Sequence, residues 1–429
     1  MHGEEPTSTE AAKPLRRSRW PAALALIAGA ALWLWAAQAL WASTELPSLH
    51  LPRLDPSRFF SSSFLDRSAG YERFLAIEGA LASVTLVVAL LVYARRGQRL
   101  VRESAAGRVG TGMLLAMLGF AVVWLVEAPF GLAALWWERR HHVSHQGYLG
   151  WLLESFLSLG AVFVFVCAAV AIAMGLAGVM RRWWWLAAAP VFVGLALLFA
   201  FLSPYLIPNT SAARSPSLQA EARTLERIEG TDEARLEIQS VHRATTAPNA
   251  VSTGLGPTRT VILWDTLLHG GFSRSGIRFV MAHEVGHLAH DDPLKQVGWL
   301  ALFLIPTLGL IAFFTRRRGG MAQPEAVPVA LLVLVLLQLL TAPALNVVSR
   351  RIEAAADWAA LEATRDPAAG REVMRQLAIK SLSDPDPPSW VYGLYENHPT
   401  IMQRIAMVEA WEAQHRTRRH PGVAASSRH

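Results

Sequence analysis

The chain has 429 residues, of which 52% are apolar and 17% are charged, and its formal net charge is +7. The apolar residues fall into long runs, which is typical of a membrane protein rather than of one large soluble core. The arginine clusters flank those runs, so the positive charge indicates membrane anchoring and argues against a nucleic-acid-binding protein. A single cysteine, Cys167, excludes an internal disulfide and any cysteine-based metal site.

Seven apolar runs, each long enough to cross a bilayer core of about 30 Å, predict seven membrane-spanning helices. They lie at residues 21–42, 74–94, 111–137, 149–179, 183–206, 296–315 and 326–348. A cleaved signal peptide is the alternative for the first run, but that run is longer than the usual apolar core of such a peptide. Residues 1–20 predict a disordered basic arm, and residues 416–429 predict a disordered basic tail.

Two acidic residues, Glu78 and Glu127, lie inside the apolar runs. A charge in the bilayer is costly unless it faces protein or water. Two interpretations therefore stay open: each carboxyl group is neutral or near the membrane interface, or it lines a hydrated cavity between the spans.

Between the fifth and sixth runs the chain becomes polar, and residues 207–295 predict a small folded domain outside the bilayer. Helical spacing at 217–229 predicts a helix, and residues 236–241 and 260–264 predict two short strands. Turn residues between these strands are Asn249, Gly254, Gly256 and Pro257.

A second block after the last run, at 349–415, has a mainly helical pattern. The first block at 207–295 and this second block would form one small α+β domain that is split around the sixth and seventh spans at 296–348. The predicted fold is therefore a mainly α, seven-helix integral membrane protein, with its first five helices at 21–206 and a split catalytic domain.

The pattern that most constrains function is His-Glu-x-x-His at 283–287, inside a predicted helix over 273–291. Residues four apart lie on one helix face, so His283 and His287 can bind one Zn²⁺ ion together. Glu284 projects beside them and can take a proton from the attacking water and later return it. The motif predicts a zinc hydrolase, most readily a peptidase. The alternative, an amphipathic helix with surface histidines, is disfavoured by the apolar residues before the motif.

A zinc site needs a third protein ligand, and two carboxylates follow the last apolar run. Glu353 and Asp357 lie four residues apart on an alanine-rich predicted helix. One of them can reach the metal while the other orients a ligand histidine from behind. A solvated acidic face is the alternative, but the small uncharged neighbours favour burial of the pair.

Five short motifs occur in a fixed order along the second half of the chain. They are Asn249-Ala250, Asp265-Thr266-Leu267-Leu268, the His-Glu-x-x-His sequence, Glu353-x-x-x-Asp357, and His398-Pro399-Thr400 followed by Arg404. This set resembles the integral-membrane zinc metallopeptidases of the type-1 CAAX prenyl protease family over residues 200–410. The layout is similar too, because that family has five spans before the zinc helix and two between it and the third ligand.

The resemblance assigns the metal-site residues. It implies that His283, His287 and Glu353 bind one zinc ion per chain, with Asp357 behind them. It also implies that Glu284 is the general base and general acid of an amide hydrolysis.

The resemblance also assigns residues to the substrate. Asn249 and Ala250 would lie on a strand that pairs with the substrate backbone through main-chain hydrogen bonds. His398 would donate a hydrogen bond to the oxyanion of the tetrahedral intermediate. Arg404 would hold either the carboxylate cluster or the substrate.

The predicted function is that of a multi-pass zinc metalloendopeptidase in the lipid bilayer, acting on a peptide or protein substrate. Segments 203–210 and 243–248 depart from the family pattern, so prenylated substrates are not inferred. A heat-shock-type membrane quality-control protease is the first alternative, although that group usually has fewer spans. A non-catalytic membrane scaffold and a transporter are further alternatives, but a transporter does not explain the ordered zinc motifs.

The sequence gives conflicting indications of which side of the membrane the zinc domain faces. The loops on the N-terminal side carry more Lys and Arg than the opposite short loops, which predicts a cytoplasmic N-terminus and a zinc domain on the other side. The family resemblance implies the reverse, with the zinc domain towards the cytosol.

Overall fold

The computed structural model describes residues 20–48, 50–100 and 106–419 and is mainly helical. Its α-helices are α1 (Trp20–Ala42), α2 (Ser62–Arg96), α3 (Gly107–Arg140), α4 (Tyr148–Met180), α5 (Trp184–Leu206), α6 (Pro216–Glu229), α7 (Asp265–His269), α8 (Arg274–Ala289), α9 (Asp292–Thr315), α10 (Val327–Thr364), α11 (Pro367–Ser381), α12 (Ser389–Leu394) and α13 (Ile401–Arg419). Its strands are β1 (Thr210–Ala212), β2 (Arg235–Gln239), β3 (Ala250–Thr253) and β4 (Thr260–Trp264).

Five stretches among the described residues are long and apolar enough to cross a membrane. They are Ser62–Arg96, Gly107–Arg140, Tyr148–Leu206, Asp292–Arg318 and Pro324–Thr364. The third stretch contains both α4 and α5, which pack against each other. The turn between them begins at Arg181, whose φ of 51° interrupts the right-handed helix. A shorter apolar helical segment, Ile27–Ala42, lies within α1.

The helices extend beyond the apolar runs that predicted them. α2 begins at Ser62, well before the predicted start at 74, because Phe64 and Tyr71 on its first turns are buried in the core of the polar domain. α10 continues without a break from Val327 to Thr364, through the predicted end of the last span at 348. The third-ligand region is therefore a direct extension of an apolar helix.

A four-stranded sheet forms one side of the polar domain, in the order β1-β2-β4-β3. β2 and β4 are parallel, whereas β1 and β3 pair antiparallel at the two edges. The predicted strand at 260–264 matches β4, which is almost wholly buried. The predicted strand at 236–241 ends earlier, at Gln239, because the main-chain N–H groups of Val241 and His242 donate to Asp265 instead of to a neighbouring strand.

The core of the polar domain surrounds α8, which packs against α6, α10, α11 and β3. Its largest fully buried side chains include Leu263, Leu267, Phe279, Leu361 and Ile405. The close approach of α8 to its neighbours requires a glycine in the motif. A Cβ atom on Gly286 would lie 3.2 Å from the Cβ of Ala359 on α10.

The chain ends lie mostly outside the described residues. Only Trp20 of the predicted basic arm is described, and it begins α1. α13 extends to Arg419, so residues 416–419 are helical rather than part of a disordered tail. Residues 1–19 and 420–429 are outside the described part of the chain.

Candidate metal centre and substrate cleft

Helix α8 carries the His-Glu-x-x-His motif in a buried position. Its N-terminus is capped by Ser273, whose Oγ accepts a hydrogen bond of 3.0 Å from the N–H of Gly276. His283 and His287 lie one turn apart, and each is 8% exposed. Their Nε2 atoms face each other at 3.2 Å. The predicted helix over 273–291 therefore exists, slightly shortened at both ends, and it aims both imidazoles at one point.

Glu353 on α10 completes a group of three ligand atoms. Its Oε2 lies 3.2 Å from Nε2 of His283, and its Oε1 lies 3.7 Å from Nε2 of His287. The three residues can each place one ligand atom within 4.8 Å of the others. Tetrahedral zinc with Zn–N bonds of about 2.0–2.1 Å separates its ligand atoms by about 3.3 Å, so this group fits zinc. The residue pattern left open which carboxylate belongs to this group, and in the structure Glu353 is the one that faces both Nε2 atoms.

Asp357 lies one turn further along α10, on the other side of the His283 ring. Its Oδ1 is 3.0 Å from Nδ1 of His283, so Nε2 is left to face Glu353. Arg404 on α13 donates to both oxygens of Asp357, through Nε at 2.7 Å and Nη2 at 2.6 Å. This two-pronged pairing compensates a carboxylate that is only 2% exposed. Of the two roles predicted for Arg404, the structure contains the contact with the carboxylate cluster.

The carboxylates make the metal group a favourable place for a cation. Burial alone lowers the pKa of His283, but Asp357 and Glu353 outweigh it and raise that pKa to about 10. Burial lowers the pKa of Arg404, but the negative charges of Asp357 and Glu353 outweigh it and raise that pKa. A field that favours a proton on an imidazole also favours a metal ion bound to it.

Asp292, at the first position of α9, is a site residue that the sequence reasoning missed. Its Oδ2 is 2.9 Å from Nδ1 of His287, and Nζ of Lys295 donates to its Oδ1 at 3.2 Å. The carboxylate is buried, with 1% of the residue exposed. The available signal was an acidic residue five positions after the second motif histidine, followed by proline. That spacing does not by itself place the carboxylate at His287, because the contact depends on the turn between α8 and α9.

A cavity of about 610 Å³ opens beside the metal group. Glu284, which is 6% exposed, lines this cavity together with the three ligand residues. His398, before α13, also lines it and has its Nε2 3.2 Å from Oε2 of Glu353. The side chain of His398 is 47% exposed, so it stands at the open rim of the centre rather than in the core.

Strand β3 forms another wall of the cavity and is an edge strand. Residues 249–254 line the cavity, and Asn249 and Ala250 are at the start of this stretch. The carbonyl of Asn249 accepts a hydrogen bond of 3.0 Å from the N–H of Trp264, so the segment is tied to β4 on its inner side. Its outer side borders the cavity. Glu78 and Glu127 are not among the cavity-lining residues.

The Asp265-Thr266 motif holds the loop that leads into β3. Asp265 accepts hydrogen bonds from the main-chain N–H groups of Val241 and His242 at 3.0 and 3.1 Å. The hydroxyl of Thr266 donates to the carbonyl of Ala247 at 2.8 Å. Burial raises the pKa of Asp265, but hydrogen bonds from Val241, His242 and Ser240 outweigh it and lower that pKa. Asp265 and Thr266 thus position the cleft without lining it, whereas Leu267 of the same motif is one of the lining residues.

Comparison with known proteins agrees with this geometry. The family model of Peptidase family M48 matches residues 212–412. The uncharacterized metalloprotease YhfN of Bacillus subtilis is 28% identical over 289 residues, which cover 63% of this chain and 67% of that protein. A protease HtpX homolog of Kineococcus radiotolerans is 28% identical over 283 residues, covering 60% of this chain and 89% of the relative. The chain is a membrane zinc metalloprotease.

The fold of this metalloprotease is similar to that of a solved structure. The crystal structure of Ste24p from S. mikatae aligns with a TM-score of 0.67 and 16% identity, over 89% of this chain and 96% of that one. The mainly helical, multi-pass architecture predicted from the apolar runs is therefore confirmed. The predicted zinc cofactor is confirmed as well, by the M48 match and by the His-His-Glu group.

Proposed function

We propose that this metalloprotease is a zinc metalloendopeptidase that hydrolyses peptide bonds with His283, His287 and Glu353 as zinc ligands and Glu284 as general base. The observation that carries the proposal is the convergence of three ligand atoms at the wall of a cavity that Glu284 also lines. A merely structural zinc site has four protein ligands and is closed, whereas a catalytic site keeps one position open.

The reaction that this arrangement supports is an amide hydrolysis. Zinc, when bound, supplies Lewis acidity that lowers the pKa of the attacking water to about 7 and polarises the scissile carbonyl. Glu284 accepts the proton of that water and then delivers it to the leaving amine. His398, at the rim, donates a hydrogen bond to the oxygen on which negative charge develops, a role that contributes about 3 kcal/mol in other acyl-transfer enzymes. Asp357 and Arg404 keep the His283 ring in place.

The substrate would bind as an extended strand along β3. Because β3 is an edge strand beside the cavity, its outer N–H and C=O groups are available to a peptide backbone. Asn249 and Ala250 begin this edge next to the metal group. Main-chain pairing of this kind reads little of the substrate sequence. Arg404 would then support the centre indirectly, through Asp357, rather than by gripping the substrate.

The whole chain would form seven membrane crossings, through α1, α2, α3, α4, α5, α9 and α10. The proposed division is a basic arm (1–20), five membrane helices (21–206), the first catalytic block (207–295), two membrane helices (296–348), the second catalytic block from 349, which α13 extends to Arg419, and a basic tail beyond it. In support, each predicted run is helical where it is described, and α4 and α5 pack against each other within one apolar stretch.

Replacing Glu284 by Gln tests the proposed base. We expect Glu284→Gln to retain about one zinc per chain and to lose peptide hydrolysis by several orders of magnitude, because Gln cannot accept the proton. Zinc content and cleavage of a quenched fluorescent peptide by the detergent-purified protein measure the two properties. Glu233→Gln is the matched control, since the Glu233 side chain is 77% exposed. Near wild-type cleavage by Glu284→Gln would remove Glu284 from the base role.

A second candidate is a membrane quality-control protease, because sequence relatives include proteases named HtpX homologs. Its chemistry would be that of the endopeptidase proposed above, so only the substrate distinguishes a quality-control protease from a prenyl-protein protease of the family that the motifs resemble. A prenylated peptide and its unmodified counterpart, offered to the wild-type protein, give the comparison. A strong preference for the prenylated peptide would favour a prenyl-protein protease, whereas equal rates would favour the quality-control candidate.

A further inference from the structure

The second ligand histidine has its own buried carboxylate, on a membrane helix. Nδ1 of His287 is 2.9 Å from Oδ2 of Asp292, while its Nε2 faces the other two ligand atoms. A proton on Nδ1 donated to Asp292 leaves the Nε2 lone pair for a metal ion. A carboxylate in this position also increases the basicity of the imidazole.

The position of Asp292 is fixed by how the chain turns between two helices. Only two residues, His290 and Asp291, separate α8 from α9. Asp291 takes a left-handed conformation, with φ 54°, and pairs with Arg259. Asp292 then begins α9, where the helix dipole stabilises a negative charge. The turn that positions the Asp292 carboxylate is therefore held between α8 and α9 and by the pairing of Asp291 with Arg259.

The charge of Asp292 is compensated by Lys295 on the same helix turn. Nζ of Lys295 lies 3.2 Å from Oδ1 of Asp292, and the lysine side chain is only 13% exposed. The other ligand histidine has a comparable arrangement, because Asp357 at His283 is paired with Arg404. Each imidazole thus has a buried carboxylate behind it, and each carboxylate is paired with a cation that is mostly shielded from solvent.

We propose that Asp292, held by Lys295, is a positioning residue that fixes the ring of His287 and thereby ties the metal centre to the first turn of α9. This inference rests on the zinc ligation proposed above. α9 also lines the cavity, through Pro293, Gln296 and Val297. The same helix turn therefore sets both a ligand ring and a wall of the substrate cleft.

The test is a zinc titration of the detergent-purified, chelator-stripped full chain. We expect Asp292→Ala to weaken zinc binding by about 10–100-fold, the usual effect of removing such a carboxylate. Asp292→Asn, whose Oδ1 still accepts the Nδ1 proton, should lose less affinity than Asp292→Ala. Co²⁺ in place of zinc gives visible absorption bands that report on ligand geometry. We expect these bands to shift in Asp292→Ala and to be retained in Asp292→Asn.

Matched variants separate this role from general damage. Glu233→Gln changes a carboxylate outside the metal group whose side chain is 77% exposed, and it should leave affinity and spectrum unchanged. If Asp292→Ala does not fold because it leaves the largely shielded Lys295 unpaired, the double variant Asp292→Ala/Lys295→Met removes both charges, and the same loss of affinity is expected.

The outcomes distinguish this inference from the proposed ligand set. Wild-type affinity and an unshifted cobalt spectrum in a folded Asp292→Ala or double variant would overturn the positioning role alone. Zinc binding that survives Glu353→Ala unchanged would instead overturn the proposed ligand set, on which the inference depends.

Discussion

The carboxyl group of Glu229 is buried at the end of α6, and neither of its oxygens has a hydrogen-bond partner among the described residues. One of these oxygens would lie 3.1 Å from a Cβ atom on Gly286, so the group faces the motif helix from behind. Burial raises the pKa of Glu229 to about 8, and the charge of His283 lowers it only in part. The group is therefore largely protonated at neutral pH.

This raised pKa makes stability fall as the pH rises. An acid that binds its proton more tightly in the folded state stabilises that state below its unfolded pKa of 4.5, and the contribution is lost as the pH rises through about 8. The loss amounts to about 4–5 kcal/mol at most. We expect Glu229→Gln to lack this dependence, so its thermal unfolding midpoint should exceed that of the wild type increasingly from pH 5 to pH 8. A constant difference over that range would show that Glu229 does not titrate in it.

Residue-level prediction from the sequence was accurate where a spacing encodes a geometry. The His283–His287 pair and the Glu353–Asp357 pair each lie four apart on a helix, and helical periodicity alone brings each pair to one face. Asp292 lacked such a pattern, because its role depends on a turn between two helices. The distinct roles of Glu353 and Asp357 also depended on the relative rotation of α8 and α10, which the sequence does not encode locally.

At the level of elements, the apolar runs located the membrane helices but not their ends. Hydropathy reports the segment that is in contact with lipid, whereas α2 and α10 continue into the polar domain and are buried there by tertiary packing. The edge strands β1 and β3 have only three and four residues, too few for an alternating pattern to be detected. β3 was expected only because of the family resemblance.

The contact between α8 and α10 gives an expectation at this level. Gly286→Val should push α8 and α10 apart, because even a Cβ atom added at Gly286 would lie 3.2 Å from the Cβ of Ala359 and 3.1 Å from Oε2 of Glu229. We expect a destabilisation of about 1–3 kcal/mol and a weaker zinc affinity, since His283 and Glu353 are on the two separated helices. Gly175→Val is the control, because a Cβ at Gly175 has no atom within 4 Å. Equal zinc affinity in both variants would contradict the expectation.

At the scale of the whole molecule, the apolar packing is divided between separate regions. Among the described residues, one buried cluster surrounds α8 in the polar domain, and two others lie among the long apolar helices. The larger of the two clusters among the apolar helices, which includes Leu115, Met174 and Trp184, contains none of the three proposed zinc ligands. The membrane helices therefore have a core that does not depend on the metal.

Metal removal should accordingly affect activity far more than the helical bundle. We expect a strong chelator to abolish peptide cleavage and added Zn²⁺ to restore it, while the far-ultraviolet circular dichroism of the detergent-solubilised protein changes little. Unfolding of most of the helix signal on chelation would show that the metal holds the whole molecule together. Activity that survives complete removal of zinc would contradict the metalloprotease mechanism.

The uninterrupted course of α10 has a consequence for how this chain tolerates length changes. Each residue of an α-helix advances the axis by about 1.5 Å and rotates it by about 100°. One residue added between Val327 and Glu353 would therefore turn the carboxylate of Glu353 away from the two imidazoles, although the span itself would still cross the bilayer. An added segment of seven residues would nearly restore the direction but would displace the group by about 10 Å. The membrane part of α10 must therefore keep both its length and its rotation about the helix axis, because Glu353, which follows it on the same helix, has to face the two imidazoles.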